Sequence, residues 1–280
     1  MAVKSLTGQI VHQQMWHKAA SGNIMQKAVL ITGCSSGIGL AAANHLLSRG
    51  YYVLAACRKP ADVARMNQLG FDGIQLDLDD PESVDSASDT VLERCNHRLY
   101  GLFNNAGFAI YGKLDAISRV QMERQFSTNL FGTHQLTMKL LPAMQLQDEG
   151  RIINTSSVLG LVVTAGRGTY AASKFALEAW SDALRQELYG SGIHVSLIEP
   201  GPIDSRFTEN VWQAQAAEPV KNPGSISHLT RPVSAVLPAL QHALESKYPR
   251  RRYPVTPIAW AVSLLRLMPA VLKDRVLCKK

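Results

Sequence analysis

Residues 28 to 47 leave this chain few folds to adopt. The apolar run Ala28-Val29-Leu30-Ile31 ends in Thr32-Gly33-Cys34-Ser35-Ser36-Gly37-Ile38-Gly39 and passes directly into an Ala- and Leu-rich stretch from Leu40 to Leu47. A short apolar run stopped by turn residues reads as a buried strand, and the stretch after it as a helix. Together they form a phosphate cradle: the glycines admit a pyrophosphate close to the backbone, and the helix N-terminus offers free N–H groups and the positive end of its dipole. The same alternation continues along the chain. It predicts strands near 28–32, 51–57, 73–77, 99–104, 150–156, 193–199 and 253–255, and helices near 38–49, 60–69, 81–96, 118–146, 169–190 and 232–247. With right-handed crossovers these build an α/β fold, a doubly wound parallel sheet with helices on both faces.

At 280 residues and 46% hydrophobic, the chain suits one domain over residues 25–280, with 206–280 as a lid and a basic, apolar C-terminal extension. Residues 1–24 lack the cationic start and apolar core of a secretory signal, and because Met25 directly precedes the first strand they are expected to be a disordered tail or an upstream start-site artefact. No uninterrupted apolar run is long enough to span a bilayer. Cys34, Cys57, Cys95 and Cys278 are scattered without a Cys-x-x-Cys pair and read as reduced thiols of a cytoplasmic protein, Cys34 as a small residue in a tight loop. The histidines show no metal-ligand spacing, and no metal is expected.

The formal charge of +7 is concentrated at one end, where residues 247–280 hold nine Lys and Arg against Asp274 alone. Interleaved apolar residues, Ile258 to Leu265, speak against nucleic acid as the partner. Two readings remain: this segment packs over the substrate pocket, which is favoured, or residues 255–280 meet an anionic membrane surface peripherally.

Chemistry enters with Tyr170-Ala171-Ala172-Ser173-Lys174. A phenol and an ammonium four residues apart share one helix face. An isolated phenol titrates near ~10 and is a poor acid at neutral pH, but an adjacent cation stabilises the phenolate and moves its pKa toward the working range. A solvated lysine over an aromatic ring is the ordinary alternative for this spacing alone. Asn104-Asn105-Ala106-Gly107 ends another apolar run, and Ser157 precedes Tyr170 by thirteen residues. These motifs, with the glycine turn and in this order, resemble the short-chain dehydrogenase/reductase family over about residues 27 to 205, in its variant spacing Gly33, Gly37, Gly39.

The resemblance implies a Rossmann-type domain and a homodimer or homotetramer. It implies a catalytic set of Asn129, Ser157, Tyr170 and Lys174, in which Ser157 and Tyr170 meet the carbonyl oxygen. Lys174 holds the nicotinamide ribose, and Asn129 holds a water that links Lys174 to solvent. The neighbouring Ser156 is expected to satisfy local backbone. Cofactor contacts are implied for Gly33, Ser35, Ser36, Gly37, Ile38 and Gly39, for Asp77 and Leu78 beside the adenine, for Asn105, Ala106 and Gly107, and for Pro200, Gly201, Ile203 and Ser205 beside the nicotinamide. Asp77 is also an ordinary turn former, and Ser205 stands where the family usually has threonine.

Cofactor choice rests on the end of the second strand. A carboxylate there accepts from the ribose hydroxyls of NAD and repels a phosphate, whereas a guanidinium fork suits the 2′-phosphate of NADP. The chain has Cys57-Arg58-Lys59 and no acid. Arg58 as a plain surface charge is the competing reading, and the missing acid favours NADP(H). The uncharged loop after Ser157 predicts an apolar carbonyl or alcohol substrate lying against Leu161, Val163, Tyr170 and Phe207. Arg167 is the charged exception: it could meet an anionic substrate tail, but as a lone loop arginine it is expected to be solvated. Phe207, Val211 and Trp212 read as an apolar lid, with Pro219, Pro223 and Gly224 marking a mobile loop, or equally as fixed core. The expected activity is an NADP(H)-dependent carbonyl or aldehyde reductase. Arg252-Tyr253-Pro254 resembles the hydroxysteroid and retinol dehydrogenase branch, which makes that activity the alternative. A redox-sensing NADP-binding protein would keep the glycine turn and lose the catalytic hydroxyls that are present here.

Overall fold

Seven segments pair into one all-parallel sheet: β1 (Ala28–Thr32), β2 (Tyr52–Cys57), β3 (Asp72–Gln75), β4 (Leu99–Asn104), β5 (Gly150–Thr155), β6 (Ile193–Glu199) and, after a minor pair, β9 (Arg252–Pro254). The order across the sheet is β3-β2-β1-β4-β5-β6-β9. The structure, a computed structural model, describes residues 26–207, 211 and 229–277. The expected N-terminal tail, the lid positions Trp212, Pro219, Pro223 and Gly224, and Cys278 lie outside the described residues. The minor pair, β7 (Ile203–Asp204) with β8 (Arg231–Pro232), was not expected from the sequence.

Every residue of β1 is buried, as a strand covered on both faces must be. Because side chains alternate across a strand, Leu30 joins Leu54, Leu102, Leu136 and Ile152 in one core, while Val29 and Ile31 join Val53, Phe103, Ile153, Leu240 and Leu244 in the other. Helices α1 (Gly37–Ser48), α2 (Pro60–Gln68), α3 (Pro81–Arg94), α4 (Arg119–Phe126), α5 (Gly132–Gln145), α6 (Gly168–Glu187) and α7 (Leu237–Glu245) cover the sheet. Strand order reverses between β1 and β4, which opens a crevice beyond their C-terminal ends, where such sheets bind ligands.

The long helix expected over 118–146 is helical throughout but not uniform. It starts at a Ser118/Gln121 capping box and is interrupted by a π turn, Ser127–Phe131, with Asn129 buried at its centre. Apolar periodicity carries no signal for one inserted residue. The expected helix over 232–247 narrows to a 3₁₀ turn at Val233–Val236 followed by α7.

Beyond β9, Thr256 caps α8 (Pro257–Leu265) by accepting from Ala259 N at 3.2 Å, and α9 (Ala270–Leu277) follows. The inner face of α8 packs Val262 on Leu161 and Val162. Its outer face leaves Trp260 56% and Leu264 71% exposed, continued by exposed Leu267, Val271, Leu272 and Val276. Among the described residues no helix is long and apolar enough to cross a membrane.

Candidate active site

The turn after β1 is held open by left-handed backbone at Gly33 (φ +75°) and Gly37 (φ +57°), which glycine adopts at no steric cost. A side chain at Gly33 would also meet Ala106 Cα at 2.9 Å, so this turn and the loop after β4 touch. Thr32 joins them: its hydroxyl accepts from Asn105 N (3.0 Å) and Ala106 N (2.9 Å), and Asn105 Nδ2 donates to its carbonyl at 3.0 Å. Sequence reasoning passed over Thr32, although a hydroxyl closing an apolar strand needs a partner once buried. Ser36 enters α1 in extended conformation without a side-chain cap, so the first N–H groups of the helix remain available to a ligand.

These elements border a cleft of about 1080 Å³, above the ~300–1,000 Å³ typical of pockets for a single small ligand. Its lining includes Gly33, Ser35, Ser36, Gly37 and Ile38 from the turn, Arg58, Asp77, Leu78, Asn105, Ala106 and Gly107, and Ser157, Tyr170, Lys174, Pro200, Gly201, Ile203, Ser205 and Phe207. Gly39 stands behind the lining, where a side chain would overlap Gly33 O at 2.3 Å; its smallness lets α1 pack on the turn. Asp77 does form a turn, accepting from Asp79 N at 3.1 Å, while its residue still borders the cleft. Arg65, not singled out in the sequence, donates to Ser35 O at 2.5 Å and pairs with Asp62 at 2.9 Å.

Two expected substrate contacts are corrected. Leu161 is buried with Val162 and Val262 in a small core against α8, and Val163 is 49% exposed at the surface. A 3₁₀ turn at Val158–Gly160, capped by Ser157, folds this loop back on itself, so Val158 and Leu159, with Phe108 and Tyr111, line the cleft in their place. Ser156 is corrected too. Its buried Oγ makes no bond to local backbone and occupies the space beside Gly160 and Glu178.

Ser157, Tyr170 and Lys174 converge at the ends of β5 and α6. Ser157 stands close enough to the Tyr170 phenol to draw its pKa down and accepts from Leu159 N at 3.1 Å. Lys174 donates to Thr155 O at 2.8 Å and lies 5.8 Å from the Tyr170 ring centre. The phenol is not brought down toward neutrality as expected. Burial and nearby Tyr111 hold its pKa above the ordinary value, opposed by Ser157 and the Arg167 cation. Burial also brings Lys174 down to about 8, against the pull of Glu178. At neutral pH the site therefore holds a protonated phenol beside a lysine whose ammonium predominates.

Asn129 is fully engaged inside the π turn. Its Oδ1 accepts from Phe108 N at 3.2 Å, and its Nδ2 donates to Phe108 O (3.1 Å) and Ser173 Oγ (3.0 Å). It thereby ties the loop after β4 to α6. Gly107 separates it from Lys174: a side chain there would meet Asn129 Oδ1 at 3.1 Å and Lys174 Nζ at 3.7 Å.

Behind Lys174 lies a buried ionic cluster. Arg252 on β9 donates to Glu178 (3.0 Å) and Asp182 (2.7 Å) on α6 and stands 3.2 Å from Glu199 at the end of β6. Burial, then neighbouring Glu178, pushes Glu199 up to about 7, with Arg252 and Arg266 opposing. The native state thus keeps a proton on Glu199 at pH values where the unfolded chain has released it, so stability falls as pH rises from the ordinary carboxyl range through about 7. Glu199→Gln is expected to flatten this part of the stability profile, measured by urea titration on both sides of pH 7. An unchanged slope would contradict the assignment.

A glycine turn at the first βα junction, a cleft of this size and a Ser-Tyr-Lys cluster at its far end define a nicotinamide-dependent oxidoreductase. Residues 27–216 match the family described as short chain dehydrogenase, and the chain belongs to it. It is 60% identical over 267 residues to the oxidoreductase YbbO of Escherichia coli, covering 94% of this chain and 99% of that protein. Human retinol dehydrogenase 5 is 37% identical over 283 residues, covering 89% of this chain and 87% of that one. A solved short-chain dehydrogenase from Streptomyces avermitilis aligns with a TM-score of 0.77 at 25% identity, covering 91% of this chain and 97% of that one.

Proposed function

We propose that the protein is an NADP(H)-dependent reductase interconverting apolar aldehydes or ketones with their alcohols. The observation that carries this reading is the buried Tyr170 phenol, set beside Ser157 and walled by apolar and aromatic side chains at the open end of the sheet. Bound NADP(H) supplies the hydride in the reductive direction. Ser157 and Tyr170 donate hydrogen bonds to the substrate oxygen, stabilising the charge that develops there, and Tyr170 gives up its proton. Lys174, held by Thr155 and standing beside Gly107, would hold the nicotinamide ribose with its remaining N–H donors. Asn129 fixes Phe108 at the edge of the cleft.

Arg58 supports NADP(H) over NAD(H). It lines the cleft at the end of β2, where no carboxylate replaces it, and the nearby Asp62 is paired with Arg65. Arg58→Ala is expected to raise KM for NADPH by about 10-fold or more, the loss of a charge-assisted contact, and to leave KM for NADH far less affected. Equal effects on the two would refute the choice. A second reading, a retinol or hydroxysteroid dehydrogenase, is favoured by the likeness to human retinol dehydrogenase 5. Oxidation of NADPH against a panel of apolar aldehydes, retinal and steroid ketones separates the two. Turnover of many aldehydes supports the reductase, and strong preference for one lipid supports the second reading. No turnover with any of them contradicts both.

A further inference from the structure

Arg167 stands where the sequence did not place it. Expected in solvent, it is half-buried in the lining of the cleft, three residues before Tyr170. Its backbone is tied at both sides: Arg167 N donates to Thr164 O at 3.2 Å, and Gly112 N donates to Gly166 O at 2.8 Å, fastening this loop to the one that carries Tyr111. The guanidinium lies 5.1 Å from the centre of the Tyr111 ring, and that ring meets Tyr170 edge-on at 6.0 Å. Phe207 closes the other side of Tyr170 at 5.8 Å. The cation's field reaches the reacting phenol, whose pKa it lowers.

Among the described residues no carboxylate and no hydrogen-bond acceptor meets the Arg167 side chain. Two other arginines of the cleft differ: Arg65 is paired with Asp62, and Arg124 approaches Asp79 at 4.0 Å. The guanidinium lies beside the Tyr111 ring, a contact that uses its charge and none of its N–H donors. Val158, Leu159, Tyr111 and Phe207 line the same cleft and are apolar or aromatic. Half out of solvent, such a cation pairs with an anion more strongly than it would in open water. A single planar fork matches a carboxylate, a monoanion it can hold with two parallel hydrogen bonds.

We propose that Arg167 reads a substrate carboxylate, so that the preferred substrates are oxo acids with an apolar body between the reacting carbonyl and the acid group. The inference rests on the carbonyl-reductase reading and narrows its substrate class. The aromatic path from Tyr170 through Tyr111 to Arg167 sets the carboxylate apart from the reacting carbon, which separates these substrates from 2-oxo acids.

Straight-chain aldehydes bearing a terminal carboxylate, compared with their methyl esters, test it. The wild type is expected to favour the acid in kcat/KM, and Arg167→Gln to lower the acid-to-ester ratio by about 10-fold or more. Arg167→Lys, which keeps the charge and loses the fork, should restore part of the ratio. Calorimetric binding of octanoate against octanamide to the NADP-loaded protein reads the same cation without turnover. Tighter binding of octanoate that Arg167→Gln abolishes supports the site even if no aldehyde is reduced, an outcome that would sink the reductase reading alone. Equal ratios in wild type and Arg167→Gln, or equal binding of acid and amide, would overturn the proposal while leaving the reduction of neutral aldehydes intact.

Discussion

Tyr170→Phe is expected to lower kcat for NADPH-dependent carbonyl reduction by at least ~10²-fold, the usual scale for loss of a general acid. The substitution removes one oxygen and keeps the ring, and the ring makes the packing contacts: Tyr111 edge-on at 6.0 Å and Phe207 at 5.8 Å. With only 6% of the residue exposed, a phenylalanine fits the same space, and the lost hydroxyl leaves Ser157 with its bond from Leu159 N. Stability should therefore change little compared with turnover. Single-turnover kinetics after mixing the NADPH-loaded enzyme with an apolar aldehyde would isolate the chemical step. A near-normal rate would mean that the proton comes from another group, and the mechanism would have to be abandoned.

Arg252→Ala is expected to destabilise the fold by about 3–5 kcal/mol at neutral pH, the range for breaking a buried ion pair by removing one partner. Glu199 is 1% exposed and Glu178 4%. Without the guanidinium they and Asp182 would face one another, with Arg185 still paired to Asp182 at 3.0 Å and the charges of Arg266 and Lys174 reaching the glutamates only from farther off. Like charges crowded in a low dielectric do not all stay ionised. The deficit should therefore shrink at acid pH, where Glu199, already raised to about 7, takes up its proton. Urea unfolding of both proteins across that range measures it, and a loss below about 1 kcal/mol, the scale of an exposed pair, would show that the cluster contributes little. Because Arg252 binds α6 one turn below Lys174, a loosened cluster should also weaken the position of the ammonium.

Where residues act through their neighbours in sequence, the chain alone was sufficient. The strand-turn-helix at 28–47, the glycine positions around it and the four-residue spacing of Tyr170 and Lys174 are local patterns, and the structure places them as the spacing requires. The parallel sheet followed from apolar runs alternating with helices, because a strand buried on both faces admits few other partners. The π turn at Asn129 escaped because one inserted residue shifts the apolar rhythm by a single position, too little to read within so short a stretch.

Tertiary structure decided the rest, and for one reason: these features depend on which distant segments meet. Leu161 and Val163 read as substrate wall only until the 3₁₀ turn and α8 take them away from the cleft. Arg252 lies 74 residues from Glu178, and no periodicity relates a basic residue near the C-terminus to two buried carboxylates. Arg167 looked like a solvated loop residue because its partner ring, Tyr111, arrives from the loop after another strand. The sequence by itself determined the sheet, the phosphate cradle and the tyrosine-lysine pair, since backbone preference and short spacing suffice for them. Only the packed fold decided the burial and charge environment that keeps the Tyr170 phenol protonated and sets Arg167 in the lining of the cleft, since desolvation and pairing are properties of surroundings that no short stretch contains.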